Sequence, residues 1–155
     1  MHDSEFLQQL QSDLGLAQQL FELIEAEFIA LGERDLSRLD QILSAKLPLL
    51  SQLEQHGRQR SQALLAQHLT ADLQGLTQWA ASSALGTELL TSSEQLGAQL
   101  EQCQTANLRN GRLIRANQIT IGSAIGILRG SETPSLYDSR GSTTRIGQQR
   151  PLSQA

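Results

Sequence analysis

The sequence predicts an all-α protein: an antiparallel bundle of long helices, a coiled-coil-like hairpin plus a long C-terminal helix, with a disordered C-terminal tail. Three observations predict it. Leu, Ala and Gln dominate, whereas Pro numbers only 3 and aromatic residues make up 3% of the 155, a composition suited to long helices packed along aliphatic seams. Apolar residues recur at alternating steps of three and four over most of the chain, the period of a helix face. At Gly130 this pattern stops, which divides the chain into a helical domain, 1–129, and a flexible tail, 130–155.

The first helix has an unbroken seam of Leu7, Leu10, Leu14, Ala17, Phe21, Ile24, Phe28 and Leu31, with Asp3 or Ser4 placed to cap its start and Gly32 to end it. At 1.5 Å per residue it is roughly 40 Å long, so it needs other long helices to cover it. The short Gly32-Glu33-Arg34 connection and a cap at Asp35 predict a second, antiparallel helix with Leu36, Leu39, Leu43, Leu50 and Leu53 on its apolar face. Pro48 lies inside it and is expected to kink or divide it. The polar run Gln55-His56-Gly57-Arg58-Gln59-Arg60 is expected to be exposed or frayed. Thr70-Ala71-Asp72 starts a shorter helix bearing Leu73, Leu76 and Trp79, and a break follows near Ser82-Ser83 and Gly86-Thr87.

The last helix is predicted from about Thr87 to Arg129. Its seam runs Leu96, Leu100, Cys103, Asn107, Asn110, Ile114, Asn117, Ile121, Ala124, Leu128, with three asparagines where apolar residues are usual. A buried asparagine without a partner costs about 1–3 kcal/mol, so this face either fixes a helix register or accepts another chain. Ile119, Ile125 and Ile127 put apolar groups on further sides of the helix, more than one internal neighbour covers. Gly97, Gly111, Gly122 and Gly126 suggest close backbone approach or local mobility, since each costs about 1 kcal/mol relative to alanine. Arg109, Arg112 and Arg115 form a basic stripe beside the seam, either paired with acids of neighbouring helices or forming a rim that guides an acidic partner helix.

Charge and composition narrow the function. Residues 1–129 carry nine Lys/Arg against fourteen Asp/Glu, and 130–155 three against two. An acidic body argues against nucleic acid as the main partner. The single cysteine, Cys103, excludes an internal disulfide and a multi-cysteine metal site and reads as a buried thiol. His2, His56 and His68 belong to no metal-binding spacing and read as surface residues. No catalytic constellation, cofactor site or metal site is evident, so an enzyme is not expected. The N-terminus lacks signal-peptide order and no apolar run reaches the roughly 20 residues of a membrane span, which predicts a soluble, cytoplasmic protein. In the tail, Pro134, Pro151 and a Ser/Thr/Gly/Gln/Arg bias predict disorder, with Tyr137 a lone aromatic that either is incidental or anchors a docking motif.

Two groups of residues carry a family resemblance. Leu31 to Asp35, Leu39, Lys46, Leu49-Leu50 and Leu53 resemble the first helical hairpin of FlgN-type flagellar export chaperones. Asn107-x-x-Asn110-Gly111-x-Leu113-Ile114-x-x-Asn117, followed by Leu128, Gly130 and Tyr137-Asp138-x-x-Gly141, resembles that family's C-terminal signature. The resemblance implies a cytoplasmic chaperone that holds the C-terminal helical segments of hook-associated proteins and delivers them to the flagellar type III export gate. It places client binding on Asn110, Ile114, Asn117, Ile121, Ala124, Ile125 and Leu128, and gate docking on Tyr137. Two rival readings remain: a structural or regulatory coiled-coil protein that self-associates into a homo-oligomer, and a chaperone of another secretion system.

Overall fold

The computed structural model describes the backbone of residues 1–129 and the side chains of residues 1–116. The described chain is helical: α1 (Asp3–Glu33), α2 (Leu36–Ala66), α3 (Leu73–Ala81) and α4 (Gly86–Arg129). The fold is the all-α bundle of long helices that the periodicity predicts. The predicted tail, 130–155, lies outside the described residues.

Local chemistry sets the helix ends. At α1 the cap is His2 rather than Asp3 or Ser4, and its N–H donates to the Glu5 carboxylate at 2.8 Å. That hydrogen bond holds the Glu5 carboxyl below its ordinary range. Asp3, not needed as the cap, reaches α3 and the turn after it instead. It accepts from Ser83 Oγ and, at 2.8 Å, from Trp79 Nε1, and these two bonds lower its pKa, the one from Ser83 most. α1 ends one residue beyond Gly32, where Arg34 takes the left-handed conformation (φ 56°) and the Asp35 N–H bonds back to the Ala30 carbonyl at 3.0 Å. Asp35 caps α2 by accepting from the Arg38 N–H at 3.1 Å. Asp72 caps α3 in the same way, accepting from Gly75 N–H at 2.9 Å.

α2 continues through Pro48 as one helix of 31 residues, so the expected division does not occur. The proline removes the bond to the Ser44 carbonyl, but side-chain packing on both sides of it holds the segment helical: Ile42 is in an apolar cluster with α1, and Leu49 and Leu53 pack on another.

α1 is the central helix. It packs along α2 on one side and α4 on the other, whereas among the described residues the backbones of α2 and α4 do not approach each other. α2 is antiparallel to α1, as the short connection predicts. α4 returns parallel to α1: Cys103 donates to the Ala17 carbonyl, and Asn110 to the Ile24 carbonyl, both pairs 86 residues apart in sequence. α2 and α3 are the crossover that makes this parallel register reachable.

The core falls into three apolar clusters along α1. Phe6, Leu10 and Ala17 pack with Leu64, Leu76, Trp79, Leu89 and Leu96; Leu20 and Ile24 with Cys103 and Ala106; Ala30 and Leu31 with Leu39, Ile42 and Ile114. Each large apolar side chain among them contributes about 1.5–3 kcal/mol through burial. Phe6 meets Trp79 in a tilted ring pair at 5.3 Å, which together with the Asp3 bonds ties α3 to the start of α1.

The α1 seam differs from the predicted one. Leu10, Ala17, Ile24 and Leu31 are buried as expected, but the alternate positions are Phe6, Asp13, Leu20 and Glu27 rather than Leu7, Leu14, Phe21 and Phe28. Two carboxylates therefore sit inside the bundle. They are tolerated because α2 brings a cation to each: Lys46 donates to Glu27 at 3.2 Å, and Arg60 donates to one Asp13 oxygen at 2.6 Å, the other lying 2.5 Å from His56 Nδ1. The run around His56 is thus helical and half-buried rather than frayed, with Gln55 and Arg58 exposed, and His56 is half-buried against Asp13.

Candidate partner-binding surface

The residues expected to bind a partner are on α4, and the structure separates them into two groups. Asn110 and Ile114 are in the interior. Asn110 is 1% exposed, and its amide is used up within the chain. Nδ2 donates to the Ile24 carbonyl at 2.8 Å and to Glu27 Oε1 at 2.9 Å, while Oδ1 accepts from Arg109 Nε at 3.2 Å. Glu27 thereby bridges α2 and α4, taking Lys46 on one oxygen and Asn110 on the other. Ile114 is buried among Leu31, Leu39 and Ile42. Both side chains are engaged in the chain's own packing, so a client reaches them only where the bundle opens.

The remaining expected residues, Asn117, Ile121, Ala124, Ile125 and Leu128, lie on the backbone of α4, but their side chains are outside the described residues. Tyr137 is outside them altogether. The register shows what surrounds that part of α4. Carried to the end of α1, the 86-residue offset sets Glu33 beside position 119, and α4 continues to Arg129. About ten residues, roughly 15 Å of helix, extend past α1.

The α4 seam keeps Leu96, Cys103, Asn110 and Ile114 of the predicted one and departs from it at Leu100 and Asn107. Ser92, Leu96, Cys103, Ala106, Asn110 and Ile114 are buried, Asn107 is half-buried and Leu100 is exposed. Burial raises the Cys103 thiol pKa, which leaves it a poor nucleophile. Around Gly97 there is open space, so no close backbone approach explains that glycine.

The basic stripe is divided in its use. Arg109 pairs with Glu25 at 2.9 Å and lies 3.9 Å over the Phe28 ring, which holds α4 against α1. Arg112 and Arg115 are exposed on the outer side of α4. On the far side of the bundle, α1 and α2 form a polar groove of about 790 Å³ lined by Gln8, Gln9, Gln52, His56 and Gln59 among others. Among the described residues no three His, Cys, Asp or Glu side chains converge as metal ligands, and no helix is long and apolar enough to cross a membrane.

Sequence reasoning missed the paired set of buried Asp13, Glu27 and Lys46 with half-buried His56 and Arg60. A signal was present: on α2, positions 39, 42, 46, 49, 53, 56, 60 and 64 keep the three-four spacing only if Lys46, His56 and Arg60 are counted as seam residues.

Comparison with known proteins gives a consistent result. The sequence profile of the FlgN family, described as FlgN protein, matches residues 1–145. A crystal structure from Pseudomonas aeruginosa, named a flagella synthesis protein FlgN, is similar at 44% identity. It aligns with a TM-score of 0.70, over 83% of this chain and 99% of that one. Among curated proteins nothing matches.

Proposed function

The chain belongs to the FlgN family of flagellar-assembly proteins, and from that membership we propose that it is a cytoplasmic export chaperone. Its clients are hook-associated proteins, whose C-terminal helical segments it holds, keeps from premature assembly and passes to the flagellar type III export gate. The client surface is the end of α4, carried by Asn117, Ile121, Ala124, Ile125 and Leu128, with Tyr137 in the following segment docking at the gate. Asn110 and Ile114 anchor α4 to α1 and so position that surface. The reading assigns the chain no catalysis.

The observation that supports this reading is the overhang. Ile121, Ile125, Ile127 and Leu128 fall on the part of α4 past position 119, which by register extends beyond α1, its long parallel neighbour. An amphipathic client helix laid against it would bury apolar surface at about 25 cal/mol per Å², part of which offsets the cost of ordering the client. Binding there covers the client face that would otherwise self-associate.

The test is a pull-down with the C-terminal segment of a hook-associated protein from the same genome. Wild type retains the segment. Ile121→Asp loses it and keeps its oligomeric state. If Ile121→Asp instead dissolves an oligomer of the chain, the self-association reading takes its place. Tyr137→Ala retains the segment but secretes less client in cells, and normal secretion from that variant would remove the gate assignment.

A further inference from the structure

The N-terminal half of α2 carries a stripe of leucines that the folded chain covers only partly or not at all. Leu36 is 73% exposed, Leu47 57% and Leu50 45%, and Leu43 is half-buried. Leu43, Leu47 and Leu50 each follow a residue that packs inward, Ile42, Lys46 and Leu49. At 3.6 residues per turn they are rotated about 100° from the α1-facing seam. The opposite flank of α2, with Gln52, His56 and Gln59, lines the polar groove with α1. The leucine stripe is therefore on the flank nearer α4, outside the side-chain contacts that α2 and α4 share in the core.

The polar layer fixes its height. Lys46 meets Glu27, and Glu27 meets Asn110, so Leu47 stands at the level of Asn110. Leu43 is close to the level of Ile114, and Leu36, at the first turn of α2, is beside the point where α4 outruns α1. By register the stripe thus reaches the level at which the backbone of α4 passes the end of α1.

We propose that the leucine stripe of α2 is the second wall of the client site, and that the occupant is an amphipathic helix with acidic residues on the α4 flank of its apolar face. The proposal deepens the client-binding reading above and rests on it. α2 and α4 meet through core side chains while their backbones stay apart among the described residues, and helices packed in a bundle lie 8–10 Å apart, so a helix laid over that shared contact packs on both walls. Charge selects the occupant's orientation: the exposed Arg112 and Arg115 of α4 stand at the height of the stripe, while the exposed charge on the α2 side there is Asp40. An acidic flank toward α4 and a neutral or basic flank toward α2 complement both walls.

The experiment measures binding of a fluorescently labelled C-terminal segment of a hook-associated protein to the full chain by anisotropy, at two salt concentrations. Because Leu47 and Leu50 are exposed, the double variant Leu47→Asp/Leu50→Asp is expected to melt like wild type. It binds the segment at least tenfold more weakly. Arg112→Glu/Arg115→Glu also weakens binding, and its affinity depends less on salt than that of wild type. If the leucine variant binds like wild type while Ile121→Asp does not bind, the client occupies α4 alone: this inference falls and the client-binding reading stands. If wild type itself does not bind, both fail. If the leucine substitutions convert a dimer of the chain to monomer, the stripe is a self-association surface and the inference is overturned.

Discussion

Asp13 and Glu27 show what single residues decide in this bundle. Each carboxylate is inside a helical seam and tolerable only because a cation from α2 reaches it. Removing one member of such a set leaves an uncompensated buried charge, a loss of about 3–5 kcal/mol, whereas removing both partners costs far less. Asp13→Ala is therefore expected to lower unfolding free energy by that amount in a urea titration. Glu27→Met and Lys46→Met are expected to couple in a double-mutant cycle by at least about 1 kcal/mol. Asp3 adds a pH dependence. Its pKa is held down in the fold by Ser83 and Trp79, so its contribution is present above the ordinary carboxylate range and lost as pH falls through its lowered folded value. In thermal melts at low pH, Asp3→Asn is expected to lose less stability on acidification than wild type. The pairing of these residues was not legible from the sequence, because a seam read by hydrophobicity passes over charges. The carboxylates and their counter-charges are recognisable together only once α1 and α2 are set side by side.

The elements were easier to read than their faces. Helix number, the Asp35 and Asp72 caps and the break before α4 follow from local chemistry, and the sequence displays them. The seams of α1 and α4 came out partly displaced because α1 serves two neighbours at once and buries a wider arc than a single pair would. Register was not legible either: the parallel pairing of α1 with α4 depends on the length of the α2–α3 crossover, not on any local signal. Glycines make a test at this scale. A Cβ on Gly75 would lie 1.8 Å from the Thr70 carbonyl oxygen, and one on Gly86 2.1 Å from that of Ala80, so alanine at either position is expected to destabilise by about 1–3 kcal/mol. Gly15 and Gly57 have open space, and alanine there is expected to stabilise by about 0.4–1 kcal/mol. Chemical denaturation of the four variants separates the two groups.

At the scale of the whole molecule, the bundle is a holder for one end of one helix. Three apolar clusters and the contacts of Asn110 with Ile24 and Glu27 and of Arg109 with Glu25 fasten α4 to α1 as far as Ile114, and beyond position 119 the helix has no parallel neighbour among the described residues. The asparagines of α4, which in the sequence could fix a register or face another chain, divide accordingly: Asn110 fixes the register, and Asn117 stands near the start of the free part. The central claim is that this free end binds a client helix, and isothermal titration of the full chain with the C-terminal segment of a hook-associated protein tests it most directly. The account predicts saturable binding with a negative heat-capacity change, lost in Ile121→Asp while the melting temperature is unchanged. Binding of equal strength in Ile121→Asp, or no binding by wild type, would contradict it.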